Sequence, residues 1–178
     1  MAERLGAKPG KVFLTISPTS RLWGKICLVD ALDRKILAEL QQDGRLTVTD
    51  LAERVGLSIS PCHRRLRALE QASAISGYRA HLDAKALGLT FEALVFVTMS
   101  AADRGTVDAF ELAVAAIPHV QQAQRLFGDP DYLLRVITRD LPAFQEVYDD
   151  QLATLPGVQR LRSTLVMKTV VENQPLHL

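Results

Sequence analysis

The sequence predicts an α+β chain built from an N-terminal helix-turn-helix (winged) domain and a C-terminal ferredoxin-like βαββαβ domain. Three observations carry this. Apolar residues recur with helical period in three short segments between residues 30 and 71, and the last two are joined by a glycine-bearing turn. Beyond residue 90 the apolar runs turn β-branched and alternate with two helical segments in the order β-α-β-β-α-β. Charge divides the same way. Residues 1–27 hold five basic residues against one acid, 28–82 eight against seven, and 83–178 eight against twelve. The net charge of +1 therefore hides an asymmetry, and any surface for a polyanion is local and on the N-terminal side.

The 178 residues, 48% hydrophobic and 23% charged, suffice for one or two packed domains and exclude a disordered chain. Ten glycines and eight prolines exclude collagen-like and low-complexity classes. No apolar run approaches the ~20 residues of a membrane helix, so no membrane partner is expected. The two cysteines, Cys27 and Cys62, cannot make a disulfide scaffold or a four-ligand zinc site. Free thiols in a reducing cytosol are preferred over their pairing.

Residues 1–28 read as a poorly ordered basic extension with no signal-peptide cleavage site, and a native start near Val29 is an expectation. The helix-turn-helix spans residues 29–74. Asp30 caps the first helix with Asp33 three residues on, and Leu32, Ile36, Leu37 and Leu40 share one face. Asp43-Gly44 ends it. Thr47 caps a second helix, with Asp50 at its third position, and Leu51, Ala52 and Val55 form its stripe up to Gly56. Ser58 or Ser60 caps a third helix with Pro61 in its first turn. Ile59, Cys62, Leu66 and Leu69 form the apolar stripe. Ser60, Arg64, Arg67 and Gln71 fall opposite, with His63 and Arg65 on the flanks.

Residues 75–89 are a hinge strand and linker, in which 75–82 reads either as a wing strand or as the start of the linker, and 83–89 as a short connection ending at Gly88. Residues 90–178 form the second domain. Its strands are 91–100, 119–127, 132–138 and 158–171, and its helices 105–117 and 141–155, with a turn at Gly128-Asp129-Pro130-Asp131. One sheet face is left for a second copy, with Leu126, Leu133, Val136, Leu165 and Val166 as core or dimer interface.

Arginines on an exposed helix face donate bidentately to guanine or to phosphate. Ser60, His63, Arg64 and Arg67 are thus expected to face a DNA groove. Ser58 joins them at the helix start, and Thr47, Arg45 and Arg65 serve as phosphate or structural contacts. Cys62 and His63 do not share a helix face, so the thiol reads as buried and structural, not as a ligand. No zinc motif, catalytic triad pattern or phosphate-cradling loop is present in the sequence, so neither an enzyme nor a metal site is expected.

These residues resemble the Lrp/AsnC (leucine-responsive / asparagine regulator) family of transcriptional regulators. The likeness rests on Asp30-x-x-Asp33-x-x-Ile36-Leu37, Asp43-Gly44-Arg45, Leu51-Ala52, Gly56-Leu57-Ser58, Ser60-Pro61-Cys62-His63-Arg64-Arg65-Leu66 with Leu69-Glu70, Ile75-x-Gly77-Tyr78, Gly128-Asp129-x-Asp131-Tyr132 and Ser163-Thr164. It runs from about Val29 to the C-terminus. One departure is visible: the family usually carries Gly where Ser73 stands before the hinge.

The resemblance implies a cytoplasmic regulator that binds double-stranded, pseudo-palindromic DNA through its N-terminal domain. It implies a homodimer formed by sheet pairing, assembling further to species such as an octamer. It implies a small effector, usually an amino acid, near Gly128, Asp129, Asp131, Tyr132, Ser163 and Thr164, with Arg125 and Arg162 as further candidates. No other cofactor is implied. Two alternatives remain: an architectural DNA-binding protein without effector, and a ferredoxin-like enzyme-regulatory subunit.

Overall fold

The computed structural model describes residues 29–178. The expected basic extension and Cys27 lie outside the described residues. The contacts divide the chain into two compact units that meet in sequence at Arg79 and Ala80, with Pro175–Leu178 returning to the first.

In the first unit, α1 (Ala31–Gln42), α2 (Val48–Val55) and α3 (Ile59–Gln71) follow in order. The starts of α1 and α2 have a local cause. Asp30 accepts the amides of Leu32 and Asp33, while Asp33 reaches back to the Asp30 amide, completing a capping box. Thr47 accepts the Asp50 amide at 3.2 Å. Gly56 takes φ +72° and turns the chain sharply from α2 toward α3. Ile36, Leu51, Ala52, Val55, Cys62 and Leu69 form the core, with Leu37, Leu40, Leu66 and Ile75 packed around it. Ile59 departs from the expected stripe: as the first residue of α3 it projects past the core and is 53% exposed. Residues 75–82 form no strand, so of the two readings of that segment the linker describes it. Gln41 holds the returning C-terminus, its Oε1 accepting the Leu176 amide at 2.6 Å and its Nε2 donating to the Leu176 carbonyl.

The end of α3 explains the sequence departure at residue 73. The Ala74 amide donates to the Leu69 carbonyl and the Ser73 amide to the Glu70 carbonyl. This double closure requires a left-handed residue, and Ser73 supplies it at φ +57°.

The second unit holds β1 (Phe91–Met99), α4 (Arg104–Ala115), β2 (Val120–Arg125), β3 (Tyr132–Thr138), α5 (Leu141–Val147) and β4 (Val158–Leu165), with a π-helical turn, Tyr148–Leu152, continuing α5. The antiparallel sheet has the order β2-β3-β1-β4, the βαββαβ arrangement expected. Ala93, Val95, Val97 and Met99 point from β1 to the helices and join Phe110, Val114, Phe144, Val147 and Leu152 in one core. Strand β4 stops short of the expected 158–171. The Val166 amide still bonds the Glu92 carbonyl, but β1 begins at Phe91, and the chain beyond has no strand left to pair with.

Candidate functional site

In the helix-turn-helix, Ser58, Ser60, His63, Arg64 and Arg67 are all exposed. Ser58 is the N-cap of α3, yet its side chain makes no capping bond. An anion is favoured at such an end by the free amides and the helix dipole. Among the described residues Arg64 forms no ion pair, and Arg67 has only a loose 3.5 Å contact with Glu70. The Thr47 hydroxyl is already used: it donates to Asp50 Oδ2 at 2.7 Å while accepting that residue's amide. Arg45 is exposed beside the start of α2.

Arg65 behaves differently from its neighbours. Its Nη1 lies 2.7 Å from Asp30 Oδ2 and 2.8 Å from Asp33 Oδ1, the two carboxylates of the α1 cap. The bond to the Asp33 amide, then Arg65, holds the Asp30 carboxyl below its ordinary range. Cys62 is buried and faces the core, and burial raises its thiol pKa. It is thus a buried, core-facing thiol, as its place on the apolar stripe predicts.

The effector candidates separate into groups. Residues 128–131 form one loop, with Gly128 at φ +138°. Asp131 is bound on three sides: its amide donates to the Val97 carbonyl, its Oδ2 accepts the Met99 amide at 2.7 Å, and its carbonyl accepts the Leu126 amide. Asp129 is exposed on the same loop. Tyr132 begins β3, buried, with its ring against Phe110. Ser163 and Thr164 do not join this group. Both lie on β4, and β1 stands between β4 and β3, so two strand spacings, about 10 Å, intervene. They also face opposite ways. Ser163 pairs with Val95 on the helix side, and Thr164 with Leu94 on the other. Arg162 shares that other side, its guanidinium 5.0 Å from the Phe96 ring centroid.

A groove of about 460 Å³ opens between α4 and β2. Val114, Ala115 and Val120 supply apolar surface, and Glu111, Arg125 and Tyr132 supply the polar groups. Tyr132 Oη donates to Glu111 Oε1 at 2.8 Å, and Arg125 Nη1 is 3.9 Å from the same oxygen. Burial first, then the Glu111 bond, pushes the Tyr132 phenol up to about 12. A carboxylate, a guanidinium and an aliphatic wall are groups that suit a small zwitterion with an apolar side chain. Glu111 was not among the sequence candidates. It carries no local motif, and only the packing of α4 on β2 brings it to Tyr132.

Among the described residues, no group of three or more His, Cys, Asp and Glu side chains is arranged to hold a metal. No described helix is long and apolar enough to cross a membrane.

Comparison with known proteins places both units. Residues 29–75 match the family model described as winged helix-turn-helix DNA-binding, and residues 92–176 the Lrp/AsnC ligand binding domain. The chain is 41% identical over 142 residues to a leucine-responsive regulatory protein of Rhizobium meliloti, covering 80% of this chain and 91% of that protein. It is 39% identical to a proline dehydrogenase transcriptional activator of Rhodobacter capsulatus, covering 83% and 97%. A crystal structure of a Neisseria meningitidis transcriptional regulator in complex with L-Met is similar, with TM-score 0.79, 37% identity and coverage of 83% and 96%. A feast or famine regulatory protein from M. tuberculosis complexed with L-methionine gives TM-score 0.73 and 30% identity, covering 81% and 95%. With both units matched in order, and relatives this similar spanning most of its length, the chain belongs to the Lrp/AsnC family.

Proposed function

We propose that this protein is a sequence-specific DNA-binding transcriptional regulator, and not an enzyme, whose DNA affinity or assembly responds to a small amino acid. The observation that carries the reading is the exposed face of α3, where Ser60, Arg64 and Arg67 stand free of the core behind a glycine turn. Arg64 and Arg67 are the base-reading candidates and His63 flanks them. Ser58 and Arg45, both exposed, are the phosphate candidates. Two copies would set two α3 helices for a pseudo-palindrome. The sheet face opposite the helices, with Leu94, Phe96 and Leu133 only half-buried in one copy, supports pairing with a second. Assembly beyond the dimer, and action in the cytoplasm, follow the family pattern.

The test begins with selection from random duplexes, followed by titration of the selected DNA at rising salt. The regulator reading expects one enriched motif with two-fold symmetry. Arg64→Ala should then cost about 1–3 kcal/mol of specific binding. Failure to enrich any sequence would overturn it. Thermal melts with each of the amino acids test the effector, beginning with L-methionine because two similar structures hold it. Binding at a hundred times Kd adds about 2.7 kcal/mol to stability. The groove between α4 and β2, with its polar pair and aliphatic wall, supports an effector. Melts unmoved by all the amino acids would favour an architectural role.

A further inference from the structure

We propose that Arg65 is a positioning residue that sets the rotation of α3 against α1, and that it makes no contact with DNA. The inference rests on α3 being the DNA-reading helix. One guanidinium nitrogen, Nη1, meets both Asp30 Oδ2 and Asp33 Oδ1, at 2.7 and 2.8 Å. Those are the oxygens that the α1 cap leaves over: Asp30 Oδ1 takes the Leu32 and Asp33 amides, and Asp33 Oδ2 takes the Asp30 amide. The cap and the clamp are therefore one unit, in which each carboxylate serves α1 with one oxygen and α3 with the other.

Three consequences follow from that geometry. Asp33 is buried and Arg65 is 30% exposed, so the pair sits where water competes less than at the rim. Two carboxylates face the one cation, and this local negative excess weakens the pull of Arg65 on a phosphate. Successive residues on a helix are about 100° apart, so fixing Arg65 against α1 fixes where its neighbours point. Arg64 is adjacent and Arg67 two positions on, and both lie outside the clamp. The partner of Arg65 is set by α1, and the direction of the reading face is set by Arg65.

The experiment compares Arg65→Ala, Arg65→Lys, Asp33→Asn and Arg64→Ala with the wild type. Each is titrated on the duplex that the wild type selects from a random pool and on a scrambled duplex, over a salt series well below its melting temperature. A phosphate contact contributes about 0.9 to the slope of log affinity against log salt. The expected result for Arg65→Ala is an unchanged slope, unchanged affinity for the scrambled duplex, and at least a tenfold loss on the selected one. Asp33→Asn, which never touches DNA in either scheme, should lose selectivity in the same direction, and Arg65→Lys should recover part of it. A loss of about 0.9 in slope for Arg65→Ala, on both duplexes and with Asp33→Asn unaffected, would make Arg65 a phosphate contact and overturn the proposal. Full selectivity in folded Arg65→Ala and Asp33→Asn would overturn it too, leaving only a stability role. If the wild type selects no sequence at all, the DNA-reading premise falls instead, and the two failures are told apart.

Discussion

The hydroxyl of Tyr132 donates to Glu111 Oε1 at 2.8 Å, and this bond ties the first residue of β3 to the middle of α4. Tyr132 is buried, and the neutral phenol is the form the site holds. Its folded pKa, about 12, lies above the ordinary value of 10. The stability it contributes is therefore complete below pH 10 and is lost as pH rises toward 12. Denaturant midpoints across that range should fall faster for the wild type than for Tyr132→Phe. At pH 7 the same substitution should cost about 0.5–1.5 kcal/mol for the missing hydrogen bond. Parallel alkaline profiles would show that the phenol is not the titrating group.

Ser73 occupies a left-handed position at the end of α3, at φ +57°. A residue with a Cβ is disfavoured there by about 1–2 kcal/mol, part of which Gly would give back through unfolded-state entropy. Ser73→Gly should raise stability by about 0.5–1 kcal/mol in urea melts. A loss of stability would mean that the serine makes a compensating contact.

Gly157, at φ +73°, sits under the first turn of α4. A Cβ there would overlap the Thr106 methyl and lie 2.9 Å from the end of Met99. Gly157→Ala should cost about 2–4 kcal/mol, from backbone strain together with overpacking. Adding Thr106→Ser removes the methyl and keeps the hydroxyl that donates to Asp103. The double variant should recover the steric share, so the two costs should not add.

Phe96 lies on the sheet face away from the helices, with Arg162 across its ring. If a second copy covers this face, Phe96→Lys places a like charge beside Arg162 in the interface and should cost at least about 2 kcal/mol of association. Light scattering after size exclusion should then report a lower mass than that of the wild type. An unchanged mass would move the interface elsewhere.

Local chemistry was the most legible part of the sequence. Asp30 with Asp33, and Thr47 with Asp50, act on amides within three residues, so their caps are written in the chain itself. The 132–138 strand was equally readable, because alternation marks a half-covered sheet and dense β-branching its central strands. What failed to show was tertiary. The apolar run after Leu165 looks like more strand, but a strand needs a neighbour and β1 has ended. Ser163 and Thr164 look like one motif, yet adjacent strand residues face opposite sides of a sheet. Glu111 joins Tyr132 only across the packed core, and Arg65 looks like its arginine neighbours until α1 is folded against it.

The anchoring of Asp131 makes the end of β1 depend on the loop before β3. Its carboxylate occupies the Met99 amide at the end of a central strand. Asp131→Ala removes that acceptor, and the Met99 amide should then trade its proton with solvent more freely. The same loss would fray the tip of β1, where the chain departs for α4. A single exchanging proton would thus report whether the loop is seated on the strand.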